Sequence, residues 1–175
     1  GGVVTLLLFL THGAMFLALK TDGDLRVRSR ALSIKLGLAT AVAAVVFMVW
    51  AQVMTGNAGS AVFFVLAALC LVGAIAMARA VREGWAFIGT FATIAFAVAG
   101  LFVALFPDVM PSSTRAIYSL TTSNASSSHY TLTVMTIVAL IFTPIVLGYQ
   151  AWTYWVFRKR ISEHHIPDAE LEAVA

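Results

Sequence analysis

The sequence predicts an all-α integral membrane protein, a polytopic bundle of five transmembrane helices whose C-terminus is cytoplasmic. Three observations carry this. Hydrophobic residues make up 61% of the 175 and charged residues only 11%, against about a quarter charged in a soluble domain, and mean hydropathy is +0.93. The apolar residues gather in five long runs, and the basic residues gather in alternate connections between them.

A helix needs roughly 20 apolar residues to cross a hydrocarbon core of about 30 Å. The runs are 2–19, 31–54, 61–78, 85–106 and 132–156, and none holds an Asp or Glu. A membrane β-barrel would show alternating segments of about ten residues, which these uninterrupted runs exclude. The chain opens Gly1-Gly2 with no initiator Met, charged n-region or cleavage pattern. Its first helix therefore does not read as a signal peptide, and the chain reads as the back part of a longer protein.

Of the eleven Lys and Arg, Lys20, Arg26, Arg28 and Arg30 follow the first run, Arg79 and Arg82 the third, and Arg158, Lys159 and Arg160 the fifth. The intervening connections, 55–60 and 107–131, hold only Arg115. Basic loops stay in the cytoplasm, so the first run enters from outside and the chain ends inside. Lys35, in the first turn of the second run, can snorkel to the same face.

Small residues recur one turn apart, as in Gly37 and Ala41, Ala39 and Ala43, Thr40 and Ala44, then Gly89, Thr93 and Ala97. In lipid, such faces let helix backbones approach closely. Trp50, Trp85, Trp152, Tyr154 and Trp155 fall near the ends of runs and read as an interfacial belt rather than ligand contacts. Pro144 inside the fifth run removes a helical donor and predicts a kink. The connection 107–131 is long, nearly uncharged and rich in Ser and Thr. Its Pro107 and Pro111 and its Ile117-Tyr118-Ser119-Leu120 patch favour a docked loop, with residues 126–128 placed to cap the fifth helix. Asn124-Ala125-Ser126 fits a glycosylation sequon, a reading given little weight here.

The lone Cys70 rules out a disulfide within the chain and packs as a small apolar residue. The pI near 9.4 reflects the basic loops; no basic patch with interleaved aromatics is present to bind nucleic acid. Walker loops, dinucleotide fingerprints, nucleophile elbows and metal-ligand spacings are missing from the sequence. His164 and His165 lie in the polar tail, where adjacent side chains diverge and no Cys cluster joins them. His12 is the one imidazole inside a run, roughly 10 Å from its cytoplasmic end at the helical rise. Three readings stay open for it: a structural hydrogen bond across helices, a proton-path or quinone-headgroup contact, and a haem ligand. The haem reading is the weakest, since His129, His164 and His165 lie outside the runs and Met15 shares the helix of His12.

The last third carries a more specific signal. Phe106-Pro107-Asp108-Val109-Met110-Pro111-Ser112-Ser113-Thr114 is followed by Ser119-Leu120-Thr121, Asn124-Ala125-Ser126-Ser127-Ser128, Thr131-Leu132 and Val134-Met135-Thr136. Thr143-Pro144-Ile145-Val146-Leu147, Tyr149, Ala151-Trp152 and Tyr154-Trp155 continue it. Together these resemble the C-terminal end of subunit II of the cytochrome bd quinol oxidases. The resemblance is densest over 105–161 and thinner over 9–30, where Thr11-His12-Gly13-Ala14 precedes Lys20-Thr21-Asp22-Gly23.

The resemblance implies about helices four to eight of an eight-helix subunit. Residues 1–30 would be the last helix of an N-terminal bundle plus a basic cytoplasmic loop. Residues 31–161 would be a four-helix bundle with outer loop 107–131, and 162–175 a polar cytoplasmic tail. It also implies a non-catalytic, haem-free subunit that stabilises the haem-bearing subunit I in a heterodimer, with a small single-helix subunit as a further partner. Subunit I would hold b- and d-type haems, oxidise quinol and reduce dioxygen to water, generating proton-motive force across the bacterial cytoplasmic membrane. No catalytic residue transfers to this chain. Pro107, Met110, Pro111, Ser112, Ser113, Ser127, Ser128, Pro144, Trp152 and Trp155 would serve as a structural motif. The alternatives are a secondary transporter, disfavoured by the absence of acidic residues in the runs, and an electron-transfer subunit with its own b-type haem.

Overall fold

Five helices long and apolar enough to cross a membrane dominate the computed structural model, which describes residues 1–161. They are α1 (Gly2–Lys20), α2 (Gly23–Thr55), α3 (Ala58–Arg79), α4 (Glu83–Leu105) and α5 (His129–Val156). The tail 162–175, with His164 and His165, lies outside the described residues.

The helix starts differ from the apolar runs in ways that local chemistry explains. α2 begins at Gly23, so most of the expected basic loop is helical and the boundary expected between residues 30 and 31 falls inside a continuous helix. Asp22 sits at the N-cap position and Asp24 in the first turn, where acidic groups favour the helix dipole. Arg26 and Arg28 pair with them one turn on, at 3.9 Å each. α3 starts with a capping box, in which the Ser60 N–H donates to Asn57 Oδ1 (3.0 Å) and the Asn57 N–H to Ser60 Oγ (2.9 Å). Asn57 Nδ2 also donates to the Val103 carbonyl (2.9 Å), tying the α2–α3 turn to the end of α4.

The residues form two compact units, one of 1–104 joined by Arg160 and Ile161, the other Leu105–Lys159. In the first, α1–α4 pack as a four-helix bundle around Met15, Ala74, Ala78 and Ala86, with Ile34 and Met77 against them. Small residues set the helix spacing. A Cβ on Gly89 would lie 2.9 Å from Ala74 Cβ, one on Gly100 2.7 Å from the Phe64 ring, and one on Gly37 3.0 Å from Ile75 Cγ1. The stripes through Gly37 and Gly89 thus face neighbouring helices, as their spacing predicts.

The second unit holds α5 and the long connection. β1 (Asp108–Met110) and β2 (Leu120–Thr121) form an antiparallel ribbon with a register irregularity, closed by a short 3-10 turn at Ala116–Tyr118. The Ser112 N–H donates to Ser119 Oγ (3.0 Å). Asn124 accepts from the Thr121 N–H (2.7 Å) and donates to the Ser119 carbonyl (3.1 Å). Ser128 caps α5 by accepting from the Thr131 N–H (3.4 Å), within the stretch expected to do so. α5 runs continuously through Pro144 and buries no residue, so its apolar surface faces outward along its length.

The α3–α4 turn closes with a Schellman pattern: the Arg82 N–H donates to the Met77 carbonyl (2.9 Å) and the Val81 N–H to that of Ala78 (3.2 Å). Val81 occupies the left-handed position at φ +60, which a β-branched residue adopts only under strain. Replacing Val81 with Gly is expected to stabilise the protein by about 1 kcal/mol, read as a rise in thermal midpoint in detergent. Gly89→Leu, by contrast, drives a side chain into Ala74 and is expected to cost about 1–3 kcal/mol. Gly73→Ala, where a Cβ meets nothing within 4 Å, serves as its control.

Candidate functional site

Polar side chains in the first unit gather at its basic end and midway along the bundle. At its basic end Glu83, the first residue of α4, is 5% exposed. Arg26 Nε and Nη2 each lie 2.9 Å from Glu83 Oε1, Arg30 Nη1 lies 3.4 Å from the same oxygen, and Arg160 Nη2 lies 3.8 Å from Oε2. Arg160 Nη1 also donates to the Thr21 carbonyl (3.1 Å), and the Ile161 N–H donates to that of Lys20 (2.8 Å). One buried carboxylate thus joins the start of α2, the start of α4 and residues 160–161. Burying it alone would cost several kcal/mol, which the arginines offset.

Midway along the bundle, Thr11 and Thr40 are fully buried with hydroxyls 2.9 Å apart. Each also lies 2.8 Å from a carbonyl of its own helix, Leu7 for Thr11 and Leu36 for Thr40. With one proton per hydroxyl, one threonine bonds back to its helix while the other donates across to its partner. Close by, His12 Nδ1 is 2.7 Å from Thr90 Oγ1, and the imidazole stacks on Phe87 with centroids 4.4 Å apart. Of the three readings of His12, the structural one gains a partner on α4.

Toward the opposite end a cavity of about 170 Å³ lies among α1–α4, lined by Leu8, Ala44, Phe64, Ala67 and Leu71 with Thr40 and Thr93. The Thr93 hydroxyl donates to the Gly89 carbonyl (2.9 Å) and that of Thr40 is used as above. Thr5, which also lines it, bonds to the Gly1 carbonyl (3.3 Å), and the lining is otherwise almost wholly apolar.

These residues do not fit a haem held by two protein ligands. Met15, the nearest thioether in sequence, is 1% exposed and packed in the core. His12 is the one histidine of α1–α4, so nothing within the bundle supplies a second imidazole.

The expected motif residues lie in the other unit. Pro107, Met110, Pro111, Ser112 and Ser113 run along the ribbon, Ser112 bonding to Ser119 and Thr114. Ser127 precedes the α5 cap at Ser128, Pro144 lies mid-helix, and Trp152 and Trp155 are exposed near its end. Arg158 sits 4.7 Å over the Trp155 ring. Glu83 and Thr90 escaped the reading of the sequence, and Thr40 was read there only as a small packing residue, not as the partner of Thr11. The signal for Glu83 was an acid standing beside Arg82 at the edge of a run.

Glu83→Gln leaves three guanidinium groups competing for a neutral amide, and a loss of about 1–3 kcal/mol is expected, measured as thermal stability in detergent. Arg28→Gln breaks the pair with Asp24, both groups being largely exposed, and should change nothing measurable.

Comparison with known proteins matches residues 1–157 to the family described as cytochrome bd terminal oxidase subunit II. Similar relatives include the cytochrome bd ubiquinol oxidase subunit 2 of Bacillus subtilis, 41% identical over 93% of this chain and 49% of the relative. The cytochrome bd-I ubiquinol oxidase subunit 2 of Escherichia coli K12 is 33% identical over 94% of this chain and 52% of its own length. A probable cytochrome oxidase subunit 2 of Haemophilus influenzae is 31% identical over 87% and 49% respectively. The chain spans about half the length of these relatives. With five helices able to cross a membrane and a family match over nearly all of its length, the chain belongs to the cytochrome bd terminal oxidase subunit II family.

Proposed function

We propose that this chain works within a bd-type terminal oxidase as part of its haem-free membrane subunit. The family match over residues 1–157 carries the reading. The use made of the polar groups supports it: Glu83, Thr11, Thr40, Thr90 and Thr93 all bond to neighbouring side chains or to their own helices.

In this reading the chemistry belongs to a partner, the haem-bearing subunit I with its b- and d-type haems. Quinol oxidised there gives up electrons and protons, and dioxygen takes electrons and protons to become water. Releasing the first protons outside the bacterial cytoplasmic membrane and taking the second from inside builds proton-motive force. This chain would supply a rigid wall for that partner, with a small single-helix subunit as a further neighbour. The motif residues from Pro107 to Trp155 would serve structure rather than catalysis. The basic end, with Arg26, Arg30, Arg79, Arg82 and Arg160, would face the cytoplasm.

A tag on the full-length protein tests this by purification from membranes, a reduced-minus-oxidised absorption spectrum and a denaturing gel. Haem bands arriving with a second, larger subunit are expected. A colourless single chain from haem-replete membranes would contradict the reading.

A further inference from the structure

We propose that His12 is a docking point for a further transmembrane helix, one that presents an O–H or N–H donor to the imidazole Nε2 inside the membrane. The Thr90 hydroxyl has one proton and two carbonyls of its own helix in reach, Phe87 at 2.9 Å and Ala86 at 3.3 Å. With that proton on the nearer carbonyl, as back-bonding in helices allows, its oxygen meets His12 Nδ1 with a lone pair and Nδ1 is the donor across the 2.7 Å contact. That bond fixes the tautomer: Nδ1 carries the proton and Nε2 a bare lone pair. Stacking at 22° on Phe87, itself backed by Phe16 at 5.8 Å, holds the ring in that orientation.

Nε2 has no hydrogen-bond partner among the described residues. No buried side-chain nitrogen or oxygen there lacks one, so Nε2 reaches the surface of the half-buried ring. The surroundings are hydrocarbon-like, with Phe9, Leu17, Ile88 and Phe91 all exposed. Acyl chains have no proton to donate, and an unmet acceptor at that depth is unfavourable. A water would need two to four polar partners, and the neighbouring Thr90 hydroxyl is already engaged with Nδ1 and its own helix.

A protein donor on another helix meets the need. At Gly13, beside His12, an added Cβ would meet nothing within 4 Å, and the bare backbone leaves room for close approach. In the relatives about half the length lies outside the matched region, which is sequence enough to supply such a helix.

The test is solid-state NMR of the full-length protein, with whatever assembles with it, ¹⁵N-labelled at histidine in lipid nanodiscs. The His12 signals are assigned by their loss in His12→Gln. The expected result is a protonated Nδ1 and an unprotonated Nε2 that accepts a hydrogen bond from a protein proton persisting in deuterated water. Thr90→Val should abolish the tautomer preference. His12→Phe should lower the fraction of assembled protein surviving a detergent challenge about threefold to fifteenfold, while His12→Gln, which keeps an acceptor, retains most of it. An Nε2 with the signature of a free acceptor, or bonded only to exchanging water, a lipid or a quinone, would overturn the proposal. Haem content in the same sample reports on the oxidase assignment separately, so either can fail alone.

Discussion

Lipid tails are as apolar as leucine, so hiding apolar surface gives α1–α4 little reason to associate, and their arrangement rests on close backbone approach and a few interhelical hydrogen bonds. Both devices are present in the bundle. Gly37, Gly89 and Gly100 sit where a single added carbon would collide with the next helix. Thr11 with Thr40, His12 with Thr90, and Glu83 with Arg26 then fix rotation and register. The same constraint explains the exposed leucines, valines and phenylalanines over the rest of the surface: in hydrocarbon they carry no penalty.

Glu83 and the threonines solve different versions of one problem. A hydroxyl in a membrane helix can satisfy itself on the preceding turn, so Thr11 and Thr40 link helices while keeping a local alternative. A carboxylate has no such alternative and must gather donors. Glu83 finds them at the bundle end, where arginines partly reach solvent and keep their charge at little cost. The outcome is a clamp at one end, hydrogen bonds in the middle and a mainly apolar cavity beyond.

The five helices were legible in hydropathy because a membrane demands about 20 apolar residues in a row, and the Gly37 and Gly89 contacts were legible in helical spacing. The Ser128 cap followed from turn chemistry. The start of α2 was hidden because Arg26, Arg28 and Arg30 read as a loop by polarity, whereas Asp22 and Asp24 turn them into a charge-paired helical turn. The partners of Glu83 and His12 were hidden for another reason: Arg26 is 57 residues from Glu83 and Thr90 is 78 residues from His12. No local pattern encodes a pairing over that distance. The ribbon between α4 and α5 was missed too, because its strands are three and two residues long, too short for an alternating pattern to register.

In the proposed assembly this chain contributes scaffold rather than redox centre, its polar side chains being committed to holding helices together. An electron cryomicroscopy map of the full-length complex in nanodiscs tests that division of labour most directly. Every haem is expected to lie in a neighbouring subunit, with Glu83 still clamped by Arg26 and His12 Nδ1 on Thr90. A haem iron ligated by His12 would contradict it.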